Sequence, residues 1–204
     1  MKTVAIVSQK GGSGKTTIAV HLAVCAELAH KQAAIIDLDP QASALEWYSR
    51  RDAESPEVVT ATPEQLPGLL KQAKANGAGF AIIDTAPHSD RAAVIAAELA
   101  DLVLIPCRPS AFDVAAIGAT LKLLKLSEAF DRTVILLNAA PSRGTITEVA
   151  AQGLSEIVPV VPVRMHNRAA YSHAINSGHS VQEYDPQGKA AEEILALYNW
   201  IMKS

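Results

Sequence analysis

Residues 8–17 read SQKGGSGKTT and lie between an apolar run, TVAIV, and a stretch with a helical pattern from about Lys15 to Ala29. No other part of the chain restricts the fold as much. Three glycines in four positions, Gly11, Gly12 and Gly14, permit backbone angles that a Cβ would forbid. Such a loop turns successive N–H groups inward, and the helix behind it adds the positive end of its dipole. The result is a cradle for phosphate oxygens. Lys15 is placed to reach β- and γ-phosphates, and the Thr16 hydroxyl to coordinate Mg²⁺. The spelling nevertheless departs from the usual G-x-x-x-x-G-K-[ST]. Position 9, where the first glycine belongs, is Gln9, and beside it stands a second lysine, Lys10.

The rest of the chain repeats the strand-then-helix pattern. AAIID, EVVTAT, FAIID, DLVLIP, TVILLN and IVPVVPV are strand candidates, EVVTAT the weakest, with helical stretches between them. Pro63 suits a first helical turn, Pro67 is awkward inside a helix, and Gly77 is a plausible stop. The apolar mass is Ala, Val, Ile and Leu, with aromatics at only 4%, which suits strands buried on both faces. These features predict an α/β fold: a P-loop domain with a mostly parallel, doubly wound sheet flanked by helices. With 204 residues, no repeats and no linker, residues 1–204 are expected to form one domain. A net charge of −3 argues against a general coat of positive charge for nucleic acid but leaves room for a local patch. Cys25 and Cys107 read as buried free thiols, in keeping with a reducing cytosol. No apolar run is long enough for a membrane span.

Carboxylates fall at two strand ends, where open α/β sheets bind their ligands. AAIIDLDP ends a strand with Asp37 and Asp39, which alternation points the same way. FAIID ends on Asp84, a Walker B pattern whose carboxylate holds Mg²⁺, usually through water. Phosphoryl transfer needs mainly positioning and charge neutralisation. Lys15, Thr16, Asp39, Asp84 and Mg²⁺ supply that set. No arginine in these motifs stands out as a further cation, so hydrolysis is expected to be slow without a partner.

KGGSGKT resembles the deviant Walker A motif of the ParA/MinD superfamily of ATPases. The resemblance implies ATP as the nucleotide, bound by Lys10, Gly11, Gly12, Ser13, Gly14, Lys15, Thr16 and Thr17. It implies that Lys10 reaches across a nucleotide-sandwich homodimer to phosphates held by the other subunit. Asp39 matches the residue that positions the attacking water, so the catalytic set becomes Lys10, Lys15 and Asp39. Asp37 matches a residue that supports the magnesium shell, making Thr16, Asp37 and Asp84 the metal residues. DLVLIPCRPSAFDVAAI is similar to the family's next strand and its proline-containing loop, with Pro109, Ser110 and Asp113 expected near the dimer interface. Asn138 fits the place of an amide on adenine, and VPVRMHN is a candidate for the other wall of that pocket.

The segment from Arg164 to Val181 carries two arginines, three histidines and no acid. It resembles the C-terminal part of small ParA proteins, which implies non-specific DNA contact through Arg164 and Arg168. Phosphate contacts of that kind need charge and no base readout. The resemblance further implies a ParB-type partner that stimulates hydrolysis, and a nucleoid-associated place in a bacterial cytoplasm. Trp47 is expected in the core. Arg50 and Arg51 behind it suit a partner contact or a solvated face.

Neighbouring families fit less well. A MinD-like membrane ATPase needs a basic amphipathic tail, whereas AAEEILALYNWIMKS carries one lysine against two glutamates and reads as a closing core helix. A nitrogenase-type iron protein needs a cysteine pair that is missing, and a bacterial tyrosine kinase needs a terminal tyrosine cluster. A metabolic enzyme of the dethiobiotin synthetase type lacks a lysine like Lys10.

Overall fold

The computed structural model describes residues 1–204. Seven strands form: β1 (Lys2–Ile6), β2 (Ala33–Asp37), β3 (Glu57–Thr60), β4 (Phe80–Asp84), β5 (Leu102–Cys107), β6 (Thr133–Ala140) and β7 (Val160–His166). They join in one sheet in the order β3-β2-β4-β1-β5-β6-β7, every pair parallel. The helices are α1 (Lys15–Leu28), α2 (Ser43–Tyr48), α3 (Leu66–Ala75), α4 (Asp90–Leu99), α5 (Ala111–Leu126), α6 (Ile146–Ser155), α7 (Ala169–Asn176), α8 (Val181–Tyr184) and α9 (Lys189–Lys203).

Every residue of β2, β4 and β5 is buried. A strand with two apolar faces has to be covered twice, so helices cover both sides of the sheet. One layer packs α1, α2, α7, α8 and α9 against residues such as Ile6, Ile35, Phe80 and Leu104. The other packs α3, α4, α5 and α6 against Ala5, Ile36, Ile83 and Ile105. Alternation along the strands divides the two sets.

All seven strand candidates form strands, and the weak ones lie at the edges. β3 buries only Val58, and an edge strand with one solvated flank needs fewer apolar residues. β7 starts at Val160 and runs to His166, later than the run IVPVVPV predicts. It carries Pro162, which an edge strand tolerates because one of its flanks needs no N–H donor. Pro67 is accommodated because a 3₁₀ turn, Pro63–Gln65, precedes α3 and puts Pro67 in the helix's first turn.

Trp47 is 2% exposed, and its indole N–H donates to the His179 carbonyl at 3.1 Å. Arg51 is not on a solvated face. Its guanidinium lies 4.6 Å from the Trp47 ring centroid and makes a two-pronged pair with Glu183, at 2.9 and 3.0 Å. Arg50 pairs with Glu46 at the surface. Both cysteines are buried and free. α9 buries Ile194, Leu197, Tyr198 and Ile201 against α1 and β7, about 1.5–3 kcal/mol for each large aliphatic side chain. No helix is long and apolar enough to cross a membrane.

Candidate nucleotide-binding site

The strand order gathers the chemistry. β1 lies between β4 and β5, and β2 is beyond β4. The segments that leave the carboxyl ends of β1, β2, β4 and β5 therefore share one rim. They carry the glycine loop, Asp37 and Asp39, Asp84, and Arg108 with Asp113.

The loop ends on Gly14, which caps α1 with φ 95°. A Cβ there would also lie 2.3 Å from Asn138 Nδ2, so both backbone angle and space demand glycine. Gly12 needs it for its φ of 69°, while Gly11 has open space around it. Asn138, at the end of β6, donates to the Ser13 carbonyl at 2.7 Å and accepts from the Ala139 N–H at 2.8 Å. Its amide braces the loop from beneath. One amide hydrogen and the carbonyl oxygen already have protein partners, which leaves less of it for a base than the sequence suggests.

Lys15 is 7% exposed. Burial lowers the pKa of its ammonium, and the nearby Asp84 and Asp39 oppose that. Thr16 Oγ1 donates to Asp84 Oδ2 at 2.6 Å. Asp84 is fully buried, and its Oδ1 has no partner. Burial pushes its carboxyl up to about 7, against the Thr16 hydrogen bond. A buried oxygen without a donor, beside a hydroxyl and an ammonium, fits a Mg²⁺ shell. No cluster of three or more acidic, His or Cys side chains could cage a metal. Magnesium keeps several waters and takes few protein ligands, so it requires no such cage. Thr16 and Asp84 would hold the ion, and it would supply charge neutralisation between phosphate oxygens.

Asp37, expected to support the magnesium shell, is bound to the backbone of its own turn. Both of its oxygens accept backbone N–H groups, from Asp39 at 2.9 Å and Ala44 at 3.1 Å. It pins the turn from β2 into α2. Asp39 is half-buried and accepts from the Gln41 N–H through Oδ1 at 2.9 Å. Thr17 is half-buried and shares a hollow with Thr16, Trp47 and Arg50.

Lys10 is paired with α5 and not with the carboxylates around Lys15. Its Nζ lies 2.8 Å from Asp113 Oδ1 in α5, and its side chain is 40% exposed. Ser110 caps α5 by accepting from the Asp113 N–H at 3.2 Å, and its hydroxyl bonds the same carboxylate. Burial raises the Asp113 carboxyl, but the hydrogen bonds from Lys10 and Ser110 outweigh it and leave the group below its ordinary range. Sequence reading passed over Arg108, whose Nη2 donates to the Gly12 carbonyl at 2.6 Å. Its signal was position: it is the first residue after a strand. Only the strand order shows that this strand is next to the loop's own.

Arg164 and Arg168 are not free cations. Arg164 lies 3.5 Å from Glu148 and donates to the Val161 carbonyl. Arg168 grips Glu193 through Nε and Nη2, at 2.9 and 2.6 Å. Glu193 also takes hydrogen bonds from His166 and Tyr171. The segment itself carries no acid, and its partners arrive from α6 and α9.

A glycine loop cupping a helix N-terminus, with a Thr–Asp pair beside a buried lysine, defines a P-loop nucleotide-binding protein. The profile described as "CobQ/CobB/MinD/ParA nucleotide binding domain" matches residues 4–181, and the chain belongs to that family. Protein ParA of Rhizobium radiobacter is 34% identical over 211 residues, covering 95% of this chain and 91% of the relative. The maintenance of carboxysome distribution protein A of Halothiobacillus neapolitanus is 28% identical over 213 residues, covering 99% and 97%. The fold matches that of a Cyanothece McdA variant in complex with ATP, with a TM-score of 0.76 at 18% identity, over 100% of this chain and 96% of the other.

Proposed function

We propose that this protein is an ATP- and Mg²⁺-switched positioning ATPase whose ATP form is a face-to-face homodimer. The observation that supports it most is the different setting of the two loop lysines. Lys15 is buried against Asp84 and Asp39 in its own cradle. Lys10 is 40% exposed and held outside the cradle by Asp113. A lysine directed out of its own site suits phosphates presented by a second subunit, and a triphosphate would compete with Asp113 for it. In this reading Asp39 orients the attacking water, Lys15 and Thr16–Asp84 neutralise the transferring phosphoryl group, and hydrolysis returns the protomers to monomers.

The dimer binds DNA without sequence preference in this proposal, and a ParB-type partner stimulates hydrolysis. Arg164 and Arg168 are the assigned DNA contacts. Each is already countered by a glutamate, so affinity is modest, depends on doubling by dimerisation and falls steeply with salt. α9 buries Ile194, Leu197, Tyr198 and Ile201 inside the fold and leaves only Leu195 and Met202 of its large apolar side chains exposed, which favours DNA over a membrane as the surface. The relatives' names include a carboxysome-distribution protein, so the cargo is drawn broadly as a DNA molecule or a large protein assembly.

Electrophoretic shift with unrelated duplexes, with ATP, ADP or no nucleotide, tests the proposal beside Lys10→Ala. ATP-only binding that Lys10→Ala abolishes supports it. No binding in any state, by a wild type confirmed as an ATP dimer at low salt, would remove DNA as the surface.

A further inference from the structure

We infer that Arg108 is a second cation offered across the dimer, contacting the phosphates of the partner's nucleotide alongside Lys10. The inference rests on the face-to-face dimer proposed above.

In a phosphate loop the N–H groups turn inward to the anion, so the carbonyls turn outward. Arg108 Nη2 donates to the Gly12 carbonyl at 2.6 Å. Its guanidinium is therefore on the outer surface of the loop, outside the cradle its own subunit provides. Only one of its five N–H donors is engaged by the protein. A neutral carbonyl is a weak partner for a guanidinium, whose fork suits phosphate oxygens in pairs. The residue is also exposed, so nothing on its own subunit covers it.

Two neighbours point outward with it. Lys10, 40% exposed, is held by Asp113, five residues after Arg108. Phe112 between them is 84% exposed, an unusual setting for a large aromatic beside a charged rim and one that suits a covered surface. Segment 108–113 thus combines a guanidinium, an aromatic and the carboxylate that holds Lys10. When Lys10 leaves for a partner's phosphate, Asp113 loses its counterion in a setting only 10% exposed. Arg108 is close enough to lower the Asp113 pKa, so it also limits the cost of that release. An arginine supplied from outside the phosphate's own loop is a common way to stabilise charge in phosphoryl transfer.

The test compares wild type, Arg108→Ala and Arg108→Lys in two measurements: ATP-dependent dimerisation by sedimentation with a slowly hydrolysed ATP analogue, and ADP affinity by titration calorimetry. Arg108→Ala is expected to weaken the dimer by about tenfold or more, the size of one charge-assisted hydrogen bond. ADP affinity should stay within about twofold, since the guanidinium lies outside its own cradle, and Arg108→Lys should recover part of the dimer. An equal loss of ADP affinity would make Arg108 a brace of its own loop and overturn the inference. So would an unchanged dimer. If wild type itself forms no ATP dimer, the proposed function fails with it, and that outcome is distinct from the other two.

Discussion

His21 lies on the inward side of α1, fully buried, with Nδ1 accepting the Val181 N–H at 3.2 Å. Burial drives its pKa from 6.5 down to about 3, outweighing the pull of Glu183 and the Tyr171 backbone. The folded protein therefore holds a neutral ring that the unfolded chain would protonate below 6.5. This contribution to stability is present above 6.5 and is lost as pH falls from 6.5 towards 3, by up to about 1.4 kcal/mol per unit. Urea unfolding at pH 7, 6 and 5 should show wild type losing stability faster than His21→Asn, which keeps an acceptor for Val181. Parallel losses would assign the acid sensitivity elsewhere. Gly14 is the second sensitive residue. Gly14→Ala places a Cβ in a left-handed backbone and 2.3 Å from Asn138. ADP binding should be abolished while the far-UV dichroism stays native. Asn138→Ala should cost about 1–3 kcal/mol by leaving the Ser13 carbonyl without its donor, read in thermal melts.

At the scale of elements, the short α2 depends on contacts from distant parts of the chain. Six residues cannot hold a helix by local bonds alone. Asp37 accepts from the Ala44 N–H at its start, Trp47 anchors it in the core, and Arg51 just beyond it clasps Glu183 with 3% of its side chain exposed. These contacts tie the Asp39 turn to α8 and so to the back of α1. Breaking a buried pair leaves one charge uncompensated and costs about 3–5 kcal/mol; Glu183, 24% exposed, puts Arg51→Ala at the lower end. Denaturant unfolding checks the magnitude. A loss of about 0.5 kcal/mol or less would mean that water solvates the pair freely.

For the whole molecule, the rim at the carboxyl ends of the strands separates two kinds of charge. Inside the cradle are Lys15, Thr16 and Asp84. Outside it are Lys10, Arg108 and the exposed Phe112. If Asp39 orients the attacking water as proposed, its removal should stop hydrolysis without stopping assembly. Asp39→Ala is expected to bind ATP, dimerise and stay dimeric, with phosphate release reduced at least about a hundredfold, the scale of a lost catalytic positioning group. Light scattering during ATP turnover, beside a phosphate-release assay, checks this. A variant that hydrolyses normally would place the water elsewhere, and one that no longer dimerises would give Asp39 a structural role like that of Asp37.

Local chemistry determined much of this protein in advance. Glycine's backbone freedom, the Gly-Lys-Thr spacing and apolar runs ending in aspartate specify a glycine loop at a helix N-terminus, carboxylates at the strand ends beside it and a parallel sheet with helices on both faces. All of these act within a few residues, so one stretch of chain carries the whole signal. Tertiary structure decided what depends on neighbours distant in sequence. The strand order brings Arg108 to Gly12 across 96 positions, and Asp113 to Lys10. It sets Asn138 under Ser13 and not free beside the loop. It supplies Glu148 and Glu193 to arginines whose own segment has no acid. A side chain's partners depend on which strands and helices become neighbours, and burial of both faces of the sheet sets that for the chain as a whole.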